Sequence, residues 1–302
     1  MSGAGAATVA YALEDSYLGG VSNPTYRLPG RDLRVDRAEL SRGVKRLLAP
    51  GDIEAQEFLA QRLEGQLSVS FVLSGDEFHR LLFNDSATGF ASGAAPSAEW
   101  YLGAELLSET AERRIKGWVP MSGEISYSGS TELVRVTLTG PYGDEELNTT
   151  LTPGTIERPS TATPGHGLEF SVAGQTLPRV QSVTLSFEQL SRLRRGADQR
   201  PLDAVVGDVQ TTVDVTTLYD GPELFEQILG AVDATTTQKT VQTVSATATF
   251  DVGGGTTVAT YDIDRVAPDT YGWDGLVDNE ADLEESINYL GAGVTASDPT
   301  TT

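Results

Sequence analysis

Residues Val180 to Gly230 read VQSVTLSFEQLSRLRRGADQRPLDAVVGDVQTTVDVTTLYDGPELFEQILG. Val183, Leu185 and Phe187 alternate with Ser182, Thr184, Ser186 and Glu188. That period of two is what a strand with one buried face requires. A polar segment follows from Ser191 to Gly207, carrying Arg192, Arg194, Arg195 and Arg200. Val213 and Val215 then alternate with Thr212, Asp214 and Thr216, which predicts a second strand. Asp220-Gly221-Pro222 opens a short amphipathic helix through Leu224, Phe225, Ile228 and Leu229.

The same order of strand, polar excursion, strand and helix occurs earlier. Ala38 and Leu40 alternate with Arg37, Glu39 and Ser41, and a polar excursion runs from Arg42 to Gly65. Leu67, Val69, Phe71 and Leu73 alternate with Gln66, Ser68, Ser70 and Val72, and Ser74-Gly75-Asp76 starts a helix with Phe78, Leu81, Leu82 and Phe83 inward. Matching Gly75 to Gly221 sets an offset of 146 residues, which also pairs Glu77 with Glu223 and Leu82 with Ile228. The chain thus reads as a tandem duplication: a first β domain over 1–147, a Pro- and Thr-rich connector over 148–167, a second β domain over 168–290 and a flexible tail over 291–302. Strands are further expected at 99–106, 115–119, 123–128, 133–139, 168–172, 241–252, 258–263 and 283–290. A short helix is expected at 52–63, and an edge strand or flexible arm around Val9 to Leu13. The expected fold class is mainly β: two tandem sandwich or barrel domains, each with one short flanking helix and a long inter-strand loop.

Charge narrows the setting. Lys+Arg is 21 against Asp+Glu 43, a net −22, and Lys45, Lys116 and Lys239 are the lysines. An acidic excess with scarce lysine suits a protein solvated in concentrated salt, where the Debye length falls to about 3 Å and self-repulsion is screened. The same charge argues against tight nucleic-acid binding, which needs clustered Lys and Arg. Cysteine is absent, so no disulfide or thiolate metal site can form. No apolar run approaches the ~20 residues that cross a bilayer, and the N-terminal residues do not read as a signal peptide.

A search for chemistry finds no catalytic constellation. His79 falls within the first helix, where a surface position is expected, and His166 lies in the connector. Gly-x-Ser-x-Gly and phosphate-loop motifs are absent, and Gly253-Gly254-Gly255 reads as a hairpin turn. Acidic clusters such as Asp144-Glu145-Glu146 fit no calcium-loop spacing, and Trp100, Trp118 and Trp273 are scattered. Asn148-Thr149-Thr150 is a glycosylation-type triplet. The expectation is a protein that is not an enzyme and has no cofactor or metal.

The strand–excursion–strand units 37–75 and 184–221 and the helices after them, with the phrase Gly117-Trp118-Val119-Pro120-Met121-Ser122-Gly123-Glu124-Ile125, resemble the tail tube proteins of long-tailed, siphovirus-like viruses. The resemblance is to the type fused from two tube domains, and the acidic, lysine-poor composition points to a haloarchaeal host. It implies a virion structural protein, made in the host cytoplasm, that closes into rings and stacks them into a conduit for viral DNA. Six domains close a ring in that family, so a two-domain chain would do so as a trimer with pseudo-sixfold symmetry. Its partners would be itself, other tail proteins at the tube ends, the tape-measure protein, and DNA passing without specific binding. The lumen-facing candidates are Arg37, Glu39, Ser68, Ser70, Thr184, Ser186, Glu188, Thr212, Asp214 and Thr216. The ring-stacking candidates are Arg42, Lys45, Arg46, Arg62 and Glu64 in the first excursion and Arg192, Arg194, Arg195 and Arg200 in the second. Competing readings are a cell-surface or adhesion β-domain protein, or another tail or head component.

Overall fold

The computed structural model of the chain describes residues 7–22, 24–48, 50, 53–54, 57–83, 89–90, 92–105, 110–129, 133–148, 153, 155–159, 167–251, 257–276 and 282–297. The protein is mainly β. In chain order, residues 7–157 hold β1 (Ala7–Leu13), β2 (Tyr26–Arg27), β3 (Arg31–Leu47), β4 (Glu57–Val72), α1 (His79–Leu82), β5 (Ala98–Glu105), β6 (Thr110–Trp118), β7 (Ser122–Ser128), β8 (Val134–Tyr142), β9 (Asp144–Asn148) and β10 (Ile156–Glu157). Residues 168–297 hold β11 (Leu168–Val172), β12 (Gln175–Thr176), β13 (Val180–Glu188), β14 (Ser191–Arg195), β15 (Pro201–Val206), β16 (Gln210–Leu218), α2 (Glu223–Leu229), β17 (Val244–Asp251), β18 (Thr257–Asp274) and β19 (Glu284–Ser297).

One eleven-stranded sheet runs through both halves in the order β12-β11-β17-β18-β19-β16-β13-β7-β8-β4-β3. A six-stranded sheet, β10-β2-β1-β5-β6-β9, belongs to the first half, and β14 and β15 form a separate hairpin. The halves meet at β7 and β13, which pair antiparallel with Ile125 opposite Leu185 and Gly123 opposite Phe187. The pairing order within each half is the same. In the first, β1, β5, β6 and β9 follow one another, as do β7, β8, β4 and β3. In the second, β11, β17, β18 and β19 do so, and the distal part of β18 pairs with β19, β19 with β16 and β16 with β13. There β18 occupies the places of both β6 and β7, and β19 those of both β8 and β9.

The alternating strands have one buried face, as their sequences dictate. Leu67, Val69 and Phe71 of β4 and Leu185 and Phe187 of β13 are fully buried, each worth roughly 1.5–3 kcal/mol of transfer free energy. Phe78, Leu81, Leu82 and Phe83 at α1 pack on the same core, which is continuous between the halves. Tyr142 crosses over Gly65, where a Cβ would lie 2.2 Å from its ring, and donates to the Glu39 carbonyl at 2.9 Å. Helix α2 has Glu223 and Glu226 in its first turn and ends at Gly230 (φ +119°), a left-handed position that glycine adopts without strain.

Several expectations are corrected. The excursion over 42–65 is not a loop: β3 and β4 continue through it as a paired arm, with Arg42 opposite Leu63, Val44 opposite Ala60 and Leu47 opposite Glu57. Residues 57–63 are therefore strand, not helix. Residues 44–46 and 57–62 are exposed on both faces, so no alternation marks the outer part of the arm in the sequence. The second excursion is likewise the β14–β15 hairpin. Gly291–Ser297, expected as tail, extends β19 against Thr260–Val266. β1 is no edge but lies between β2 and β5, and Ile156–Glu157 of the connector pairs parallel with Tyr26–Arg27. His79 is fully buried, with Nε2 2.7 Å from the Tyr261 hydroxyl. Thr149, Thr150, His166 and Gly253 to Gly255 lie outside the described residues.

Candidate functional site

Residues directly opposite on paired strands share a face of the sheet. Arg37 lies opposite Ser68, Ser68 opposite Thr139, and Ser70 opposite Thr137. Across the seam Glu124 opposes Ser186 and Ser126 opposes Thr184; Ser186 in turn opposes Thr212, and Thr184 opposes Asp214. Asp214 then opposes Asn288 and Thr216 opposes Ser286. All ten lumen candidates therefore sit on strands of the eleven-stranded sheet, and the registers put these cross-strand partners on the face away from the core. Ser70 is nearly covered, whereas Arg37, Glu39, Glu188 and Asp214 are exposed.

The face is held by short polar bridges. Ser68 Oγ and Thr139 Oγ1 are 2.8 Å apart, Asn288 Nδ2 donates to Asp214 Oδ1 at 2.6 Å, and Arg37 Nε donates to Glu39 Oε2 at 2.8 Å. Serine, threonine and carboxylate dominate it. On β13 and β16 its side chains (Ser182, Thr184, Ser186, Glu188, Gln210, Thr212, Asp214, Thr216) include no base. Such a surface has little grip on phosphates, which bind through Lys and Arg.

The sheet ends at β3. This strand pairs with β4 alone, and apart from partly buried positions such as Leu33, Val35 and Ala38 its side chains are largely exposed. Its distal part and that of β4 carry Arg42, Lys45, Arg46, Arg62 and Glu64, all exposed, together with Val44, Phe58 and Leu59. Phe58 is 64% exposed, an uncommon state for a large apolar side chain on a paired strand.

The second group of stacking candidates is tied to its own chain. Arg194 Nε donates to Asp203 Oδ1 at 2.6 Å across the hairpin. Arg195 Nη1 reaches the Leu63 carbonyl at 3.3 Å, and Arg200 Nη2 lies 2.9 Å from Asp144 Oδ2. Arg192 is exposed. The base of the hairpin is anchored as well, since Ala95 N donates to Ala204 O at 3.1 Å and Leu190 N to Met121 O at 3.0 Å. Between arm and hairpin lies a cleft of about 620 Å³ where Arg37, Glu39, Glu64, Glu188 and Arg195 meet. A second cleft, about 510 Å³, lies between Leu59–Arg62 and Ala197–Gln199.

No family model matches the sequence, and neither does any curated protein. The function therefore rests on geometry. Among the described residues no group of three His, Cys, Asp or Glu could hold a metal ion, and no helix is long and apolar enough to cross a membrane.

A cluster that the sequence reading passed over lies at the far end of β18. Trp273 packs against Tyr219, Phe225 and Tyr271 with ring centroids 5.6, 6.3 and 6.5 Å apart, and Tyr271 donates to Glu285 Oε2 at 2.7 Å. Burial pushes the Glu285 carboxyl up, against the lowering effect of that hydrogen bond. Its sequence signal was the alternation of Tyr271 and Trp273 with Thr270, Gly272 and Asp274, beyond the expected strand end at 263.

Proposed function

We propose that the chain is a structural protein that polymerises with copies of itself into stacked rings, a tail tube through which viral DNA passes. One observation carries the reading: a single sheet crosses the whole chain with a polar face, free of bases on β13 and β16, and ends in a long exposed edge that continues into a projecting arm. Edges of this kind pair with other chains unless blunted. The matching pairing order of the two halves supports a duplicated unit, and a trimer with pseudo-sixfold symmetry is the closure that such a chain favours. In this reading the polar face lines the lumen and the arm contacts the adjacent ring. Other tail proteins, including the tape-measure protein, meet the tube ends and lumen, the location is the virion, and the host is a haloarchaeon.

Negative-stain microscopy of the purified protein in molar salt tests this. Rings or tubes are expected; discrete beads at every concentration would instead favour the adhesion-module reading.

A further inference from the structure

The seam between β7 and β13 joins two halves whose strands are paired in the same order, so the chain leaves one edge of each kind open. β3 stands to β4 as β13 stands to β16: Val35, Ala38 and Leu40 oppose Val69, Leu67 and Gly65, while Val183, Leu185 and Phe187 oppose Val215, Val213 and Thr211. The distal part of β18 stands to β19 as β7 stands to β8. Gly123 and Ile125 oppose Leu138 and Val136, and Tyr271 and Trp273 oppose Ile287 and Glu285. β13 and β7 cover each other; among the described residues no strand covers the outer side of β3 or of Pro268–Asp274.

We infer that β3 of one copy pairs antiparallel with Pro268–Asp274 of a second copy, in the register of the internal seam. Phe187 opposes Gly123 and Leu185 opposes Ile125 within the chain. The corresponding pairs between copies are Leu40 opposite Tyr271 and Ala38 opposite Trp273.

Exposure marks these positions. Phe187 and Ile125 are 0% and 1% exposed at the internal seam, whereas Leu40 and Trp273 are 45% and 46% exposed at the open edges. Charge is complementary too. β3 holds six basic side chains against three acidic ones in a strongly acidic chain, while Pro268–Asp274 holds two aspartates and no base. Lysine- and arginine-rich edges usually repel further copies; here the acceptor edge is acidic. The contact is head-to-tail, so it closes a ring wherever the rotation per copy divides a full turn. It rests on the self-assembly proposed above and specifies which edges meet.

The absence of cysteine makes the register measurable. A chain carrying Leu40→Cys and Tyr271→Cys, oxidised in molar salt, is expected to give a ladder of disulfide-linked multimers that reductant collapses. Because of the bulge after Val35, Val35→Cys with Tyr271→Cys sets the thiols about 13 Å out of register at ~3.3 Å per residue and is expected to give none. Rings or tubes with no in-register cross-link, or with equal cross-linking in both variants, would overturn the seam while leaving self-assembly intact. Failure to assemble at any salt or protein concentration would overturn both. The unmodified protein supplies a second measurement, because Trp100 and Trp118 are fully buried and Trp273 is the exposed fluorophore. Iodide quenching of Trp273 is expected to vanish on assembly and to be missing in Trp273→Phe; assemblies in which Trp273 stays as quenchable as in the monomer exclude the seam.

Discussion

At the residue scale, one buried and one partly buried polar contact govern the response to substitution and to pH. His79 sits fully buried with Nε2 2.7 Å from the Tyr261 hydroxyl and its ring edge-on to Phe78 and Phe83. Burial holds the Tyr261 phenol well above its usual range, so it remains protonated. Tyr261→Phe withdraws the hydroxyl while keeping the ring, and urea unfolding should register a loss of about 1–3 kcal/mol, the cost of an unmade buried bond. Glu145 presents the acid-sensitive case. Burial raises its pKa, but the hydrogen bonds from Arg113 (Nη2 at 3.1 Å) and Tyr142 (2.7 Å) outweigh that and bring it below the usual carboxylate value. A depressed folded-state pKa gives stability that is complete above the unfolded value of about 4.3 and is lost as pH falls through the folded one. Glu145→Gln is therefore expected to cost about 1 kcal/mol at pH 7, the value of a pair partly screened by solvent, with the gap to the parent narrowing at pH 3. A gap that stays constant across that range would mean that the carboxylate's charge plays no part. Glu285, raised by burial, acts with the opposite sign: its ionisation costs stability as pH rises from the unfolded value through the folded one.

At the element scale, the β3–β4 arm and the β14–β15 hairpin should behave differently when shortened. The distal arm is largely exposed, with Val44, Phe58 and Leu59 outside the core. Replacing residues 43–62 by a two-residue Asn-Gly turn should therefore change the unfolding free energy by less than about 1 kcal/mol, while tubes give way to shorter stacks under the microscope. Deleting Arg192 to Arg200 should leave rings that no longer stack; long tubes from that variant would exclude the second excursion from stacking. It also removes the Arg195 contact with Leu63 and the Arg200 pair with Asp144, so some loss of stability is expected. The same contrast explains what was legible in the sequence. Strands with one face on the core, such as β4 through Leu67, Val69 and Phe71 or β16 through Val213 and Val215, declare themselves by alternation. The arm does not, because Arg42, Lys45, Arg46 and Arg62 face solvent on both sides and pairing alone keeps them extended. Gly291–Ser297 was missed for a related reason: its small residues carry little hydrophobic signal, and their partners at Thr260–Val266 are far away in the chain. The polar face was readable residue by residue, but its continuity across the β7–β13 seam depends on a register that no local pattern encodes. His79 was misjudged because the pairing of its imidazole with a tyrosine 182 residues away is a tertiary fact.

At the scale of the whole molecule, charge sets the conditions for both folding and assembly. A net −22 spread over 302 residues stores self-repulsion in the compact state. Screening shortens the Debye length from about 10 Å at 0.1 M salt to about 3 Å at 1 M, so most of that repulsion should be gone by molar salt. If screening removes about 3–5 kcal/mol, the melting temperature should rise by about 10 °C between 0.1 M and 2 M KCl, at ~2–4 °C per kcal/mol. Screening saturates near 1 M, whereas strengthening of apolar burial by excluded salts such as sulfate keeps growing with concentration. A melting curve against KCl that bends near 1 M therefore identifies repulsion as the quantity removed, and one that is flat below 1 M excludes it. Assembly brings whole acidic chains together and should need salt more steeply than folding does. The basic strand β3 offsets this only along its own edge, where it would meet aspartates. Light scattering over the same titration should place the onset of assembly at higher salt than the rise in melting temperature. Neutralising three of the β3 bases (Arg34→Gln, Arg37→Gln and Arg42→Gln) should move that onset higher still, and an onset unchanged by the triple substitution would mean that the edge's charge does not guide the contact.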